Sequence, residues 1–280
     1  MPDPFDFEIP KCYAVMGNPI GHSKSPAIHS QFAQQCGIEL DYTAVQVDPG
    51  GFAQAVEHFR AAGGGGLNVT VPFKVEAFKL AGRLSDRADQ AGAVNTLKFG
   101  EEELYGDNTD GVGLLRDLQS NLGVDLKGKS ILILGAGGAV RGILAPLYES
   151  AKRIVIANRT VSRAQDLARH FSHPSGVIIE ACGFDALSGQ QFDVVLNATA
   201  ASLEGQVPPI PVDIFAQRAL AYDLMYADKP TPFMVWSQTH GASQAEDGLG
   251  MLVEQAAESF HLWHGQRPQT GPVIQALRAP

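Results

Sequence analysis

The chain has 280 residues, 45% of them apolar and 18% charged, enough for two domains or one large one around a sizeable core. Lys and Arg number 21 against 30 Asp and Glu, a formal charge of −9, which argues against a broad nucleic-acid or anionic-membrane surface but leaves room for one positive pocket. The 30 Gly and 17 Pro follow no collagen-like or low-complexity pattern, so disorder, fibre and coiled coil are excluded as the main state.

The N-terminal MPDPFDFEIP has no basic region followed by an apolar run, and no stretch reaches the length of a membrane span. Cys12, Cys36 and Cys182 lie far apart without a CxxC pair, the pattern of reduced thiols. A cytoplasmic protein without membrane or nucleic-acid partners is expected.

Elements alternate along the chain. KCYAVMG (Lys11–Gly17) predicts a strand, and SPAIHSQFAQQCG (Ser25–Gly37) a helix with Pro26 opening it and Gly37 stopping it. DYTAVQV, GFAQAVEHFRAAG and GLNVTV (Gly66–Val71) predict strand, helix and strand, and Pro72 then opens the helix PFKVEAFKLA. AVNTLKF and ELYG predict a hairpin or two neighbouring strands around an acidic turn.

A second series begins near Gly111. VGLLRDLQSNLG predicts a helix, and KSILILG (Lys129–Gly135) an apolar strand of the kind buried on both faces. GAVRGILAPLYES, RIVIAN, SRAQDLARHF, GVIIEAC (Gly176–Cys182), FDVVLNAT and LAYDLMY (Leu220–Tyr226) continue the alternation, with a Pro- and Gly-rich loop over 200–212. Two helices close the chain, and periodicity alone leaves open which domain they join. The fold class is α/β, in two domains.

SILILGAGGAVRG joins a strand, a glycine-rich turn and a helix start. Gly135 and Gly137 let the backbone turn tightly and approach a pyrophosphate held on helix N–H groups. The third glycine of the GxGxxG pattern is replaced by Val140, which should hold the helix slightly further from the strand. At the end of the next strand stand Asn158, Arg159 and Thr160, with Arg163 three residues on and no carboxylate. Two guanidinium groups and a hydroxyl suit a 2′-phosphate, so NADP is expected over NAD.

Three polar clusters mark the first domain. In GNPIGHSKSP, Ser23 and Ser25 precede a helix, where they can hold a carboxylate or simply cap. In NVTVPFK, Asn68 and Thr70 would share one face of a strand, and Lys74 enters the first turn of a helix, where the dipole weakly disfavours it. In AGAVNTL with GDNTDGVG, Asp110 stands at a helix cap. A lysine and an aspartate meeting beside a nicotinamide would make an acid/base pair for alcohol–ketone interconversion. His261 and His264, three apart, lack a third ligand at metal spacing, and no metal is expected. Gln255 interrupts the apolar stripe of a closing helix and could bond a polyol if it faced one.

Taken together, GNPIGHSKSP, NVTVPFK, AGAVNTL, GDNTDG, GAGGAVR, NRTVSRA, YDLMY with TPF, and DGLGMLVEQAA resemble the shikimate dehydrogenase family in order and spacing, from Tyr13 to about Leu277. The resemblance implies a substrate-binding α/β domain over 1–109, completed by 250–280, and a Rossmann-like NADP domain over 110–249. It implies reversible, NADPH-dependent reduction of 3-dehydroshikimate to shikimate, on the route to aromatic amino acids. By the same resemblance Ser23 and Ser25 hold the carboxylate with Tyr226, and Thr70, Asn95 and Gln255 bind ring hydroxyls. Asn68 shapes the pocket, and Lys74 and Asp110 are the catalytic pair.

On the cofactor side the resemblance implies that Gly135, Ala136, Gly137, Gly138 and Ala139 cradle the pyrophosphate. Asn158, Arg159, Thr160 and Arg163 would take the adenine-ribose phosphate, and Thr199, Met225 and Gly248 would also contact NADP, the last two beside the nicotinamide. Ala200 and Val140 depart from the common pattern. Two alternatives stand beside this reading. A quinate/shikimate dehydrogenase, often NAD-dependent, would tend to replace one of the serines or carry an acid near Asn158. A catalytically silent relative would be expected to lose Lys74 or Asp110. The partner is a small molecule, and monomer and homodimer stay open.

Overall fold

The computed structural model describes residues 11–100, 103–171 and 177–279. The N-terminal decapeptide, the two glutamates of the hairpin turn and the first residue of the strand expected from Gly176 lie outside them. The chain divides into two compact units. One takes the described residues up to Thr109 together with Ala256–Val273, and the other takes Asp110–Gln255 and the residues from Ile274. The closing segment expected over 250–280 is therefore narrower in the first unit, because the helix Leu249–His264 gives its first part to one unit and the rest to the other.

The first unit is built on a six-stranded sheet in the order β2-β1-β3-β5-β6-β4. β1 (Cys12–Gly17) pairs in parallel with β2 (Asp41–Gln46) and β3 (Gly64–Val69), each reached through a helix, α1 (Ser25–Cys36) and α2 (Phe52–Ala61). After α3 (Lys74–Leu80), β4 (Arg83–Leu84) and α4 (Asp86–Ala91), the hairpin of β5 (Thr96–Phe99) and β6 (Leu104–Asp107) adds antiparallel strands. β3 starts earlier than the expected Gly66 and ends at Val69, leaving Thr70 beyond the strand. Its glycines answer to close aromatic packing: a Cβ on Gly64, Gly65 or Gly66 would strike Phe59, Tyr13 or Trp263 in turn.

The second unit opens with α5 (Asp110–Arg116), which passes into a π-helical turn over Asp117–Asn121. Then come β7 (Ser130–Leu134), α6 (Gly138–Ser150), β8 (Arg153–Ala157), α7 (Val161–Phe171), β9 (Ile178–Cys182), β10 (Phe192–Asn197), β11 (Phe215–Asp223), α8 (Pro232–Thr239) and β12 (Gln244–Asp247). All six strands run parallel in the order β12-β11-β10-β7-β8-β9. That is a doubly wound sheet whose direction of winding reverses between β7 and β10. Alternate residues feed opposite faces: Ile131 and Ile133 enter the core under α5 and α6, while Leu132 and Leu134 enter the one containing Phe233. β11 ends at Asp223, so Met225 and Tyr226 lie in the following loop rather than in the expected strand.

α9 (Leu249–His264) and α10 (Gly271–Arg278) close the chain. Phe260 and Trp263 are buried in the first unit, and the Trp263 indole donates to the Leu97 carbonyl at 3.0 Å. Among the described residues no helix is long and apolar enough to cross a membrane, and no group of three His, Cys, Asp or Glu is placed to hold a metal ion.

Candidate active site

In the first unit the polar residues gather at the C-terminal ends of β1 and β3. Ser25 is the first residue of α1 rather than a residue before it, and the N-cap position falls to Lys24, which makes no side-chain capping bond. Ser23 accepts the Ser25 N–H at 3.3 Å, a local turn that holds the two serines together. Ser25 is buried and Ser23 half-buried. Behind Ser25 lies the half-buried Tyr42, whose hydroxyl donates to Asn68 Oδ1 at 2.7 Å. Burial pushes the Tyr42 phenol well above its ordinary range, with the Ser25 hydroxyl acting against it.

Asn68 and Thr70 do not share an environment. Asn68 points into the core, where its amide meets Ser259 Oγ at 3.0 Å, Thr96 Oγ1 at 3.2 Å and the Asn95 carbonyl at 3.4 Å. Thr70 leaves the strand in a turn, its N–H on the Met16 carbonyl at 2.9 Å and its carbonyl accepting Phe73 N–H at 3.0 Å. Gly17 is required beside it, since a Cβ there would overlap the Thr70 methyl. Lys74 is the first residue of α3, half-buried, and its carbonyl accepts the Val94 N–H at 2.9 Å.

Asn95 donates to Thr109 Oγ1 at 2.9 Å and accepts the Thr109 N–H at 2.8 Å, so the residue just before β5 fixes the one that precedes Asp110. Just upstream, Asp107 accepts Ser85 Oγ at 2.6 Å, Arg87 Nε at 2.7 Å and the Asn108 N–H at 2.7 Å. Arg87 also reaches Glu258 of α9 at 3.2 Å. Burial would lower the Arg87 guanidinium, but its two carboxylate partners outweigh that and hold it above its ordinary range. Asp110, expected as a cap, is the first residue of α5 and is buried.

The second unit presents a different surface. Gly135 leaves β7 with φ of 111°, a conformation few other residues adopt, and a Cβ there would approach the Ala198 carbonyl to 3.0 Å. It therefore stands where β7 and β10 part, at the reversal of the sheet. Ala136 follows it, half-buried. Gly137 caps α6 without a side-chain bond, no acidic residue occupies the first turn, and a Cβ on Gly137 or Gly138 would meet nothing within 4 Å. The α6 N-terminus, from Gly138 and Ala139, is thus bare backbone N–H at the end of a 13-residue helix, open to an anion. Val140 is fully buried in the core under the sheet, so the helix is seated despite the missing third glycine.

At the end of β8, Asn158 donates to the Thr160 carbonyl at 2.8 Å and shapes the turn into α7. Arg159, Thr160 and Arg163 are exposed there, the first turn of α7 holds no acid, and neither arginine has a carboxylate partner among the described residues. A dianionic phosphate would meet two uncommitted guanidinium groups. These features fit NADP. Gly248 is needed for close packing, since a Cβ would overlap the Leu224 carbonyl, and its N–H donates to the Met225 carbonyl at 3.0 Å. Thr199 donates to Asn197 Oδ1 at 2.7 Å. Tyr226 is half-buried beyond β11. Gln255, in α9, bonds back to the Leu252 carbonyl at 2.7 Å, and its backbone packs on Gly113 of α5.

Several supporting residues escaped sequence reasoning. Tyr42, Thr96, Thr109 and Ser259 share the Asn68 and Asn95 networks, and Ser202, Asp223 and Thr231 form another beneath Thr199 and Met225. Nothing local marked the first set, in which the sheet and α9 bring Thr96 and Ser259 together across 163 positions. Thr231 before Pro232 carried a helix-start signal, and its side chain does accept Met234 N–H at 3.3 Å.

Family models match the chain at three places. The shikimate dehydrogenase substrate binding domain matches residues 15–97, shikimate / quinate 5-dehydrogenase residues 117–204, and the shikimate 5′-dehydrogenase C-terminal domain residues 248–278. The chain is 57% identical over 268 residues to a shikimate dehydrogenase (NADP(+)) of Halorhodospira halophila, covering 95% of this chain and 97% of the relative. Among solved structures, the Ael1 enzyme from Pseudomonas putida superposes with a TM-score of 0.89 at 46% identity, covering 96% of this chain and 99% of that one. Shikimate 5-dehydrogenase from Thermus thermophilus, solved with NADP(H) and shikimate, does so at 0.85 and 32%, covering 96% and 98%. With both units matched and the glycine turn and paired arginines in place, this chain belongs to the shikimate dehydrogenase family.

Proposed function

We propose that this chain is an NADP-dependent shikimate dehydrogenase, catalysing the reversible reduction of 3-dehydroshikimate to shikimate. One observation carries the cofactor half of this reading: the bare α6 N-terminus and the uncommitted Arg159 and Arg163 lie at the ends of adjacent parallel strands, β7 and β8. The first unit supplies the substrate half. Ser23 and Ser25 are held to receive a carboxylate, with Tyr226 assisting, and Thr70, Asn95 and Gln255 bind ring hydroxyls. Asn68, its amide engaged inside the fold, acts as a strut rather than a ligand.

The cofactor supplies hydride in the reducing direction and accepts it in the other. Lys74 gives the proton that the C3 oxygen takes up as the carbonyl becomes an alcohol, and takes it back in oxidation. Asp110 holds the ammonium in place and relays the proton. The same reading has the protein act in the cytoplasm on a free small molecule, as a monomer or homodimer, without nucleic-acid or membrane partners.

Initial rates followed through NADPH absorbance test this, with shikimate and quinate each offered with NADP and NAD. Turnover should favour shikimate with NADP, and Lys74→Ala should lower kcat by about 10²–10⁴-fold while shikimate still binds. Wild-type turnover in the variant would remove Lys74 from the mechanism. A preference for quinate or for NAD would overturn the serine or the arginine assignment respectively.

A further inference from the structure

Asp223 ends β11 with no exposed surface and no cationic partner among the described residues. Its carboxylate is instead met by four donors from four places in the chain. Oδ2 accepts Ser202 Oγ at 2.6 Å and Thr231 Oγ1 at 2.7 Å. Oδ1 accepts Asn197 Nδ2 at 3.1 Å and the Met225 N–H at 3.2 Å. Burial pushes the carboxyl above its usual range, while each of the four donors pulls it back. Ser202 lies in the short helix after β10, Met225 in the loop after β11, and Thr231 caps α8. Asn197 in turn accepts the Thr199 N–H and hydroxyl at 3.1 and 2.7 Å. One buried charge therefore ties together the two loops that leave the sheet after β10 and β11.

In a doubly wound sheet a dinucleotide spans the crevice at the reversal point, outside the carboxyl ends of the strands. The arginines after β8 fix the adenosine phosphate on one half of the sheet, so the loops after β10 and β11 on the other half receive the nicotinamide end. We propose that Asp223 is a positioning residue for the nicotinamide half of the cofactor, acting through the Thr199 and Met225 loops and not through the adenosine half. The proposal rests on the NADP reading above. Asparagine at this position would turn one acceptor oxygen into a donor facing other donors, so the clamp cannot survive the exchange intact.

Binding of NADP+ and of adenosine 2′,5′-bisphosphate, which lacks the nicotinamide, separates the two halves. Calorimetric titration of the full chain with each ligand should show Asp223→Asn weakening NADP+ by about tenfold or more, the equivalent of one buried hydrogen bond. The bisphosphate should bind the variant as it binds the wild type. Ser202→Ala, which removes a single donor, should show the same selectivity at smaller size, and it decides the matter if Asp223→Asn does not fold. Equal weakening of both ligands, or unchanged NADP+ binding in Asp223→Asn or, where that does not fold, in Ser202→Ala, would overturn the proposal. Failure of the wild type to bind either ligand would instead overturn the NADP reading itself.

Discussion

His29 is a base placed where it is not charged. It is fully buried in α1, stacked on Tyr42 with ring centroids 4.3 Å apart, and neither ring nitrogen finds a hydrogen-bond partner. Burial lowers its pKa to about 3, with Asn68 opposing and His264 adding to the shift. In the unfolded chain the ring takes a proton near its ordinary 6.5. Between those values the unfolded state binds more protons, so stability rises with pH and is lost as pH falls through that window. At about pH 5 the loss is ~2 kcal/mol relative to neutral pH. His264 is shifted down by burial as well and adds in the same direction. His29→Phe keeps a ring in the stack and should flatten the stability slope between about pH 4 and 6.5. Urea melts across that range check it, and an unchanged slope would refute the assignment. At the same scale, Arg159→Ala should weaken NADP+ binding by about tenfold or more and leave NAD binding unchanged, because the lost contact serves only the extra phosphate. Titration with both nucleotides reads this directly.

At the scale of the element, the start of α6 sets stability against function. A helix N-terminus favours an acid by about 0.3–1 kcal/mol, yet this one carries none and leaves the space over Gly137 and Gly138 empty. Gly138→Asp should therefore leave the melting temperature unchanged or raise it, while repelling the pyrophosphate and weakening NADP+ by about tenfold or more. A variant that melts higher and binds as before would show that the cofactor does not use this helix. Strong elements were legible from sequence for plain reasons: Ile131 to Leu134 form an unbroken apolar run because the strand is buried on both faces, and Pro26 and Gly37 bracket α1. β12 was not legible, since Gln244–Asp247 is polar and acquires its strand form only by pairing with β11 at the sheet edge. α4 had its signals in Ser85 and Gly92, a cap accepting Ala88 N–H at 3.1 Å and a left-handed stop, which a six-residue helix made easy to pass over.

For the molecule as a whole, cofactor binding is linked to the stability of the unit that binds it. At about one hundred times its Kd, NADP+ should add about 2.7 kcal/mol to that unit. Hydrogen exchange of the slowest amides in β7, β8 and β10 should slow to match. Unchanged protection there would contradict binding in the second unit. Each unit has its own sheet and its own apolar core, and α9 runs from one into the other. Two units were legible in the doubling of the strand–helix series, but their closing boundary was not. Ala256 and Gln255 sit side by side in one uninterrupted helix, and only the packing around them assigns them to different units.

The sequence by itself determined the α/β class, the glycine turn that leaves β7 at Gly135, and a start of α7 that carries Arg159 and Arg163 with no acid beside them. These are local matters: glycine where backbone must approach closely, charge where an anion must be met, apolar runs where both faces are covered. Tertiary structure decided what the polar residues do once folded. Asn68 is a buried strut because Tyr42 and Ser259 are brought against it from 26 and 191 positions away. Asp223 is a clamp because a neighbouring strand, a loop, a short helix and a helix cap converge on its carboxylate. A buried polar group must find its partners inside the fold, and which partners those are is set by topology, which no local pattern of residues contains.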